Sequence, residues 1–194
     1  MNNLEKILIY IFCIIITVII FFIRIKNNLT KLLYEVCCAF NEENIDYWVD
    51  FGSLLGIIRE GKPIMFDRDI DISVINFNQD QINRLAKNFE KRNIHFIREY
   101  KKIYRCRLNN FFMMTNKKFG YADIYVNSID FKNKKYISPT GEKCDIPMDL
   151  IGKPQIYKWK DIYIKVPEKI HETLVYRYGD DYMTPRPFYK GRDN

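Results

Sequence analysis

The chain has 194 residues, 47% of them apolar and 15% aromatic, enough for one domain with a real core and too apolar for a disordered polymer. Its formal net charge of +7 suits anionic surfaces or phosphates. It carries no base-reading basic helix and no RNA-binding signature, so nucleic acid is not expected as a partner.

Residues 7–23 are apolar apart from Thr17 and are flanked by Lys6 on one side and by Arg24 and Lys26 on the other. As a helix this run spans about 25 Å, slightly short of a ~30 Å hydrocarbon core. The flanking cations can snorkel to the interfaces and make up the difference. Arg-Ile-Lys-Asn-Asn follows instead of a small-residue cleavage site, so an uncleaved single-pass membrane anchor is expected rather than a signal peptide. Arg24, Lys26 and Lys31 outweigh Lys6, which favours a cytosolic catalytic part by the positive-inside rule, but the short N-terminal flank leaves the side open.

Residues 29–43 follow as an amphipathic helix, with Leu32, Leu33, Val36, Cys37 and Phe40 at helical spacing. Residues 47–51 read as a strand entering a Gly52-Ser53 turn. Ser53 is placed to cap a short helix through Ile58, which Gly61-Lys62-Pro63 breaks. A strand is expected over 69–75 and a helix over 79–91, the latter burying Ile82, Leu85 and Phe89. Further strands are expected over 95–100, 104–108, 111–115 and 121–127. A turn-rich stretch over 138–153, a strand over 162–166 and a helix over 168–178 closed by Gly179 complete the chain. Strands out of simple βαβ alternation point to α+β or mixed α/β. Neither G-x-G-x-x-G nor a Walker A sequence is present.

The five cysteines include no C-x-x-C pair, so a structural zinc site has little support. Cys37 and Cys38 read as core, and a Cys106–Cys144 bridge would require an oxidising lumen. His95 and His171 have no metal-spaced partner and read as structural. The aromatic residues are mostly core, with room for one to stack on a cytosine base.

The chemistry concentrates in Asp69-Ile70-Asp71-Ile72. Alternation with apolar residues puts both carboxylates on one face of a strand. Two adjacent anions repel unless a cation lies between them. A hard divalent ion such as Mg²⁺ or Mn²⁺ is commonly held by one or two carboxylates together with substrate phosphates. The upstream Gly52-Ser53 offers backbone N–H groups that suit a phosphate. Metal and phosphate together suggest work on a nucleotide-linked substrate.

A strand, a Gly-Ser turn, a short helix and a strand bearing Asp-x-Asp is the pattern of the nucleotidyltransferase-fold superfamily. Within it, the segment from Asp50-Phe51-Gly52-Ser53-Leu54-Leu55-Gly56 to Arg59, and then Phe66-Asp67-Arg68-Asp69-Ile70-Asp71, resembles the LicD/fukutin-related phosphotransferases. Lys160-Asp161-Ile162 through Pro167 and Tyr178-Gly179-Asp180 through Pro185 resemble that family's C-terminal part. The resemblance covers residues 30–188 and omits the anchor over 7–23. Two departures stand out: Phe66 where Trp is frequent in bacterial members, and Arg68 in place of a middle acid.

The resemblance implies a nucleotidyltransferase-like mixed sheet flanked by helices. It also implies metal-dependent transfer of a phospho-alcohol, such as phosphocholine or ribitol phosphate, from a CDP-linked donor to a hydroxyl of a sugar or glycan. Asp69 and Asp71 would be metal ligands, and Asp123 the third acid, either completing the shell or acting as base. Asp67 would reach the metal through water or orient Arg68. Gly52, Ser53 and Arg59 would receive donor phosphates, although Arg59 also reads as an ion-pair partner of Glu60. Two alternatives stay open: transfer of NMP from an NTP, and an inactive membrane-anchored binding module.

Overall fold

The computed structural model describes residues 2–65, 67–98, 102–110 and 120–185. The expected strand over 111–115, the last two residues of the strand over 95–100, and Phe66 lie outside these residues.

A single helix, α1 (Asn3–Glu42), opens the fold. Asn2 caps it, accepting from the Glu5 N–H while the Glu5 carboxylate accepts from the Asn2 N–H. The apolar run and the amphipathic stretch, read from sequence as two segments, are one uninterrupted helix about 60 Å long, since nothing between residues 23 and 29 stops it. Its two ends meet different surroundings. Residues up to 20 are exposed, whereas Ile25, Leu29, Leu32, Leu33, Val36, Cys37 and Phe40 are fully buried against the sheet. The 18-residue window apolar enough to cross a membrane has no buried share.

Next come β1 (Tyr47–Val49), α2 (Phe51–Glu60), β2 (Asp69–Ile75), α3 (Gln79–Lys91), β3 (Ile94–Arg98), β4 (Ile103–Leu108) and β5 (Tyr121–Asp130). They are followed by β6 (Lys135–Ile137), a 3₁₀ turn (Glu142–Cys144), β7 (Ile146–Pro147), α4 (Met148–Ile151), β8 (Gln155–Trp159), β9 (Ile162–Val166) and α5 (Ile170–Tyr178). The main sheet runs β1-β2-β5-β4-β3, with β6 pairing the far end of β5 and β7 pairing β6. Only β2 and β5 are parallel, aligning Asp69 with Tyr121 and Asp71 with Asp123. β8 and β9 form a separate hairpin. The chain is thus a mixed α+β domain with five α-helices among the described residues.

Three features differ from the sequence reading for local reasons. α2 begins at Phe51, and its cap is Asp50 rather than Ser53: the Asp50 carboxylate accepts from the Phe51 N–H at 2.8 Å. Gly52 and Ser53 therefore sit in the first helical turn. The turn-rich stretch over 138–153 contains β7 and α4, and two short strands, β6 and β8, flank it. All five cysteines are free thiols; Cys106 lies on β4, buried, and no Cys106–Cys144 bridge forms.

Candidate active site

β2 enters the site with an alternation that the sheet explains. Ile70 and Ile72 point into the core at 0% exposure, so Asp69 and Asp71 share the other face. Asp71 is buried among polar groups. Its N–H donates to Ser53 Oγ at 2.8 Å, its carbonyl accepts from the Asp50 N–H at 3.1 Å, and its Oδ1 accepts from the Tyr125 hydroxyl at 3.1 Å. These bonds pin the start of α2 to β2. Ser53 thereby anchors the acidic strand, a task the sequence did not announce.

Gly52 faces the carboxylates directly. A Cβ on it would lie 2.7 Å from Asp67 Oδ2 and 3.8 Å from Asp71 Oδ2. Only a residue without a side chain leaves those oxygens room. Asp67 accepts from the Arg68 backbone N–H at 3.0 Å.

Asp67, Asp69 and Asp71 share one electrostatic pocket. Burial first, and then the charges of Asp67 and Asp123, push the Asp69 carboxyl up to about 7. Burial and then Asp69, Asp67 and Asp50 push Asp71 well above the carboxylate range, and burial raises Asp67. Asp67 and Asp69 are hydrogen-bonded to each other.

Asp123 stands beside Asp71 on the neighbouring strand, 4% exposed, but both its oxygens are engaged. Arg105 on β4 donates Nε to Oδ1 at 2.6 Å and Nη2 to Oδ2 at 2.8 Å, while its guanidinium lies 4.6 Å from the Tyr121 ring centre. Arg59 is not brought to the carboxylates. It lies seven residues along α2 from Gly52, about 10 Å by helical rise, and pairs with Glu60 at 2.9 Å.

Among the described residues, no three His, Cys, Asp or Glu side chains are arranged as a finished metal shell. The donor set nevertheless suits a hard divalent cation. It consists of crowded carboxylate oxygens whose charged forms are held back by burial and mutual repulsion, with Gly52 leaving their approach clear.

The residues that sequence reasoning missed are those that hold this geometry. Asp50, 1% exposed, takes a bidentate pair from Arg177 on α5 at 2.8 Å for both bonds, together with Trp48 Nε1 at 3.0 Å and the Ser73 hydroxyl at 2.9 Å. Arg177 also donates Nη1 to the Cys144 carbonyl and stacks 3.8 Å from the Phe51 ring centre. Phe51 needs that support, because its φ of 44° is in the left-handed region a bulky side chain avoids. Burial first, and then the charge of Asp71, raise the Tyr178 hydroxyl at the end of α5 well above its ordinary range.

A mixed sheet that seats an Asp-x-Asp strand against a Gly-Ser helix start defines a nucleotidyltransferase-like domain. The family model described as LicD/FKTN/FKRP, nucleotidyltransferase domain, matches residues 44–169, which include Asp50, Asp67, Asp69, Asp71 and Asp123, and the chain belongs to that family. Arg177 falls outside the matched span.

Two similar proteins are uncharacterized. Protein RT0683 of Rickettsia typhi is 27% identical over 116 residues, and protein RP689 of Rickettsia prowazekii is 28% identical over 100. These matches take in 56% and 50% of this chain but 37% and 38% of the relatives, so the shared region is less than two fifths of their length. Among solved structures, the crystal structure of ANT(2")-Ia in complex with adenylyl-2"-tobramycin is similar at a TM-score of 0.46 and 15% identity, covering 78% of this chain and 76% of that one.

Proposed function

We propose that this LicD-type transferase moves a phospho-alcohol from a CDP-linked donor to a hydroxyl of a sugar or glycan, while α1 anchors it in a membrane. The observation that carries the reading is the crowding of Asp67, Asp69 and Asp71 in one buried pocket, with Asp67 and Asp71 against the Cβ-less face of Gly52. Asp69 and Asp71 would hold Mg²⁺ or Mn²⁺, with Asp67 beside them. The bound ion would supply charge stabilisation for the departing nucleotide. The first turn of α2, with Gly52 and Ser53 in it, faces the same pocket and offers N–H groups to donor phosphate.

Arg105 is the cation already at the site, and it is held in register by Asp123. A donor diphosphate competes for that guanidinium. When Arg105 turns to phosphate, Asp123 is released to complete the carboxylate set or to take the acceptor proton. Anchoring is supported by the exposed apolar half of α1, which would otherwise leave a long hydrocarbon surface in water.

The test is a donor screen with the full chain in detergent. CMP released from CDP-choline or CDP-ribitol in a Mg²⁺-dependent way supports the proposal. Pyrophosphate released from an NTP, with CDP-alcohols left intact, replaces it with nucleotidyl transfer. Nucleotide binding without turnover of either donor class leaves a binding module.

A further inference from the structure

β4 lays two arginines along the face of the sheet that carries the acids. Tyr104, Cys106 and Leu108 of this strand are buried in the core, so by alternation Arg105 and Arg107 share the opposite face. The contacts of Arg105 with Asp123 and with the Tyr121 ring identify that face as the one bearing the carboxylates. The two guanidiniums differ in what answers them. Both oxygens of Asp123 hold Arg105. Among the described residues, Arg107 makes no hydrogen bond and no ion pair, and its Nε is buried without an acceptor.

Strand register accounts for the difference. Across from Arg107 on β3 stands His95, exposed. On the other side, the register that pairs Arg105 with Asp123 and Cys106 with Ala122 brings Tyr121 beside it one residue on. Its same-face neighbours along the chain are Arg105 and, just past the strand, Asn109. None of the four is an acid. A cation partly withdrawn from water beside a second cation is unfavourable until an anion joins it.

The sheet also indicates which anion. Tyr121 is in register with Asp69 on β2, so Asp69 and Arg107 stand in one row two strands apart, about 10 Å between backbones. An anion between them meets the guanidinium on one side and the acids, with any ion they hold, on the other. Phosphate suits both: its oxygens accept the parallel donors of a guanidinium, and they also bind a hard cation.

We propose that Arg107 binds a phosphate of the nucleotide diphosphate in the donor. The proposal rests on the reading of the site given above and divides the work of β4. Arg107 takes the phosphate on arrival, while Arg105 stays with Asp123 until phosphate competes for it.

The experiment titrates CDP or ATP, each with Mg²⁺, into the full chain in detergent by calorimetry, and melts the same preparations without nucleotide. CDP should bind the parent chain. Arg107→Met should weaken it about tenfold or more, the worth of a charge-assisted hydrogen bond. With no partner to lose, that variant should melt no lower than the parent. Arg107→Lys, which keeps the charge but not the planar fork, should recover part of the affinity. Arg84→Met, at an exposed arginine on α3, should leave it intact.

Equal nucleotide affinity in the parent and Arg107→Met overturns the assignment and leaves the donor reading standing. Weaker binding accompanied by a melting temperature several degrees lower also overturns it, since the arginine then serves the fold. A parent chain that binds ATP but not CDP, with ATP weakened in Arg107→Met, overturns the cytidine donor and supports Arg107 as the phosphate ligand. Binding of neither nucleotide overturns both.

Discussion

Asp71 commits its N–H, carbonyl and carboxylate each to a different neighbour. Asp71→Asn keeps the shape and removes the charge. Turnover should fall about a hundredfold or more, the worth of several kcal/mol of metal-borne stabilisation, while circular dichroism and the melting curve stay those of a folded protein. Gly52→Ala tests the adjoining claim. Its added methyl would meet Asp67 Oδ2 at 2.7 Å, so the carboxylate must move. Displacement on that scale should cost about a hundredfold in kcat/KM. Mg²⁺ at about a hundredfold excess over its Kd should raise the melting temperature by about 5–10 °C. That rise should disappear in an Asp69→Asn, Asp71→Asn double variant if those carboxylates hold the ion.

At the level of elements, α2 depends on a clasp formed by distant segments. Asp50 caps the helix and is itself held by Arg177 from α5, with both side chains almost wholly buried. Replacing Arg177 with Met leaves a buried carboxylate without its cation, so the protein should lose about 3–5 kcal/mol, measurable by urea unfolding. Much of the element order was legible from periodicity: α3, β2 and the start of β5 fall where alternation and helical spacing put them. The approach of Gly52 to Asp71 was legible too, because both belong to the Gly-Ser to Asp-x-Asp motif.

The clasp was not legible, because 127 positions separate Asp50 from Arg177 and no local pattern links them. Arg105 escaped notice for the same reason, being paired with Asp123 only through strand register. The helix start was misplaced by one turn because Gly-Ser looks like a bend, whereas Asp50 and the Arg177 stack hold Phe51 in a conformation that lets the helix begin earlier. β6 escaped because a three-residue strand at a sheet margin carries too little alternation to register, and β8 because only Trp159 of its five residues is buried.

On the scale of the molecule, one helix has two different surroundings. Its second half supplies the core with Ile25, Leu29, Leu32, Leu33, Val36 and Phe40, whereas of its first half only Phe21 and Phe22, partly buried, pack against it. Removing residues 1–20 should therefore leave the melting temperature of the domain nearly unchanged while shifting the protein to the soluble fraction. Removing residues 1–33 should prevent folding: losing even one such leucine costs about 2–5 kcal/mol, against a total stability of about 5–15 kcal/mol. The absence of any break in α1 also has a mechanical consequence for an anchored enzyme. Without a swivel between post and workpiece, the cleft keeps a fixed distance and tilt relative to the lipid surface, so reach becomes a selection rule. Hydroxyl groups carried at that one elevation would be modified, and chemically identical groups nearer to or farther from the bilayer would be passed over.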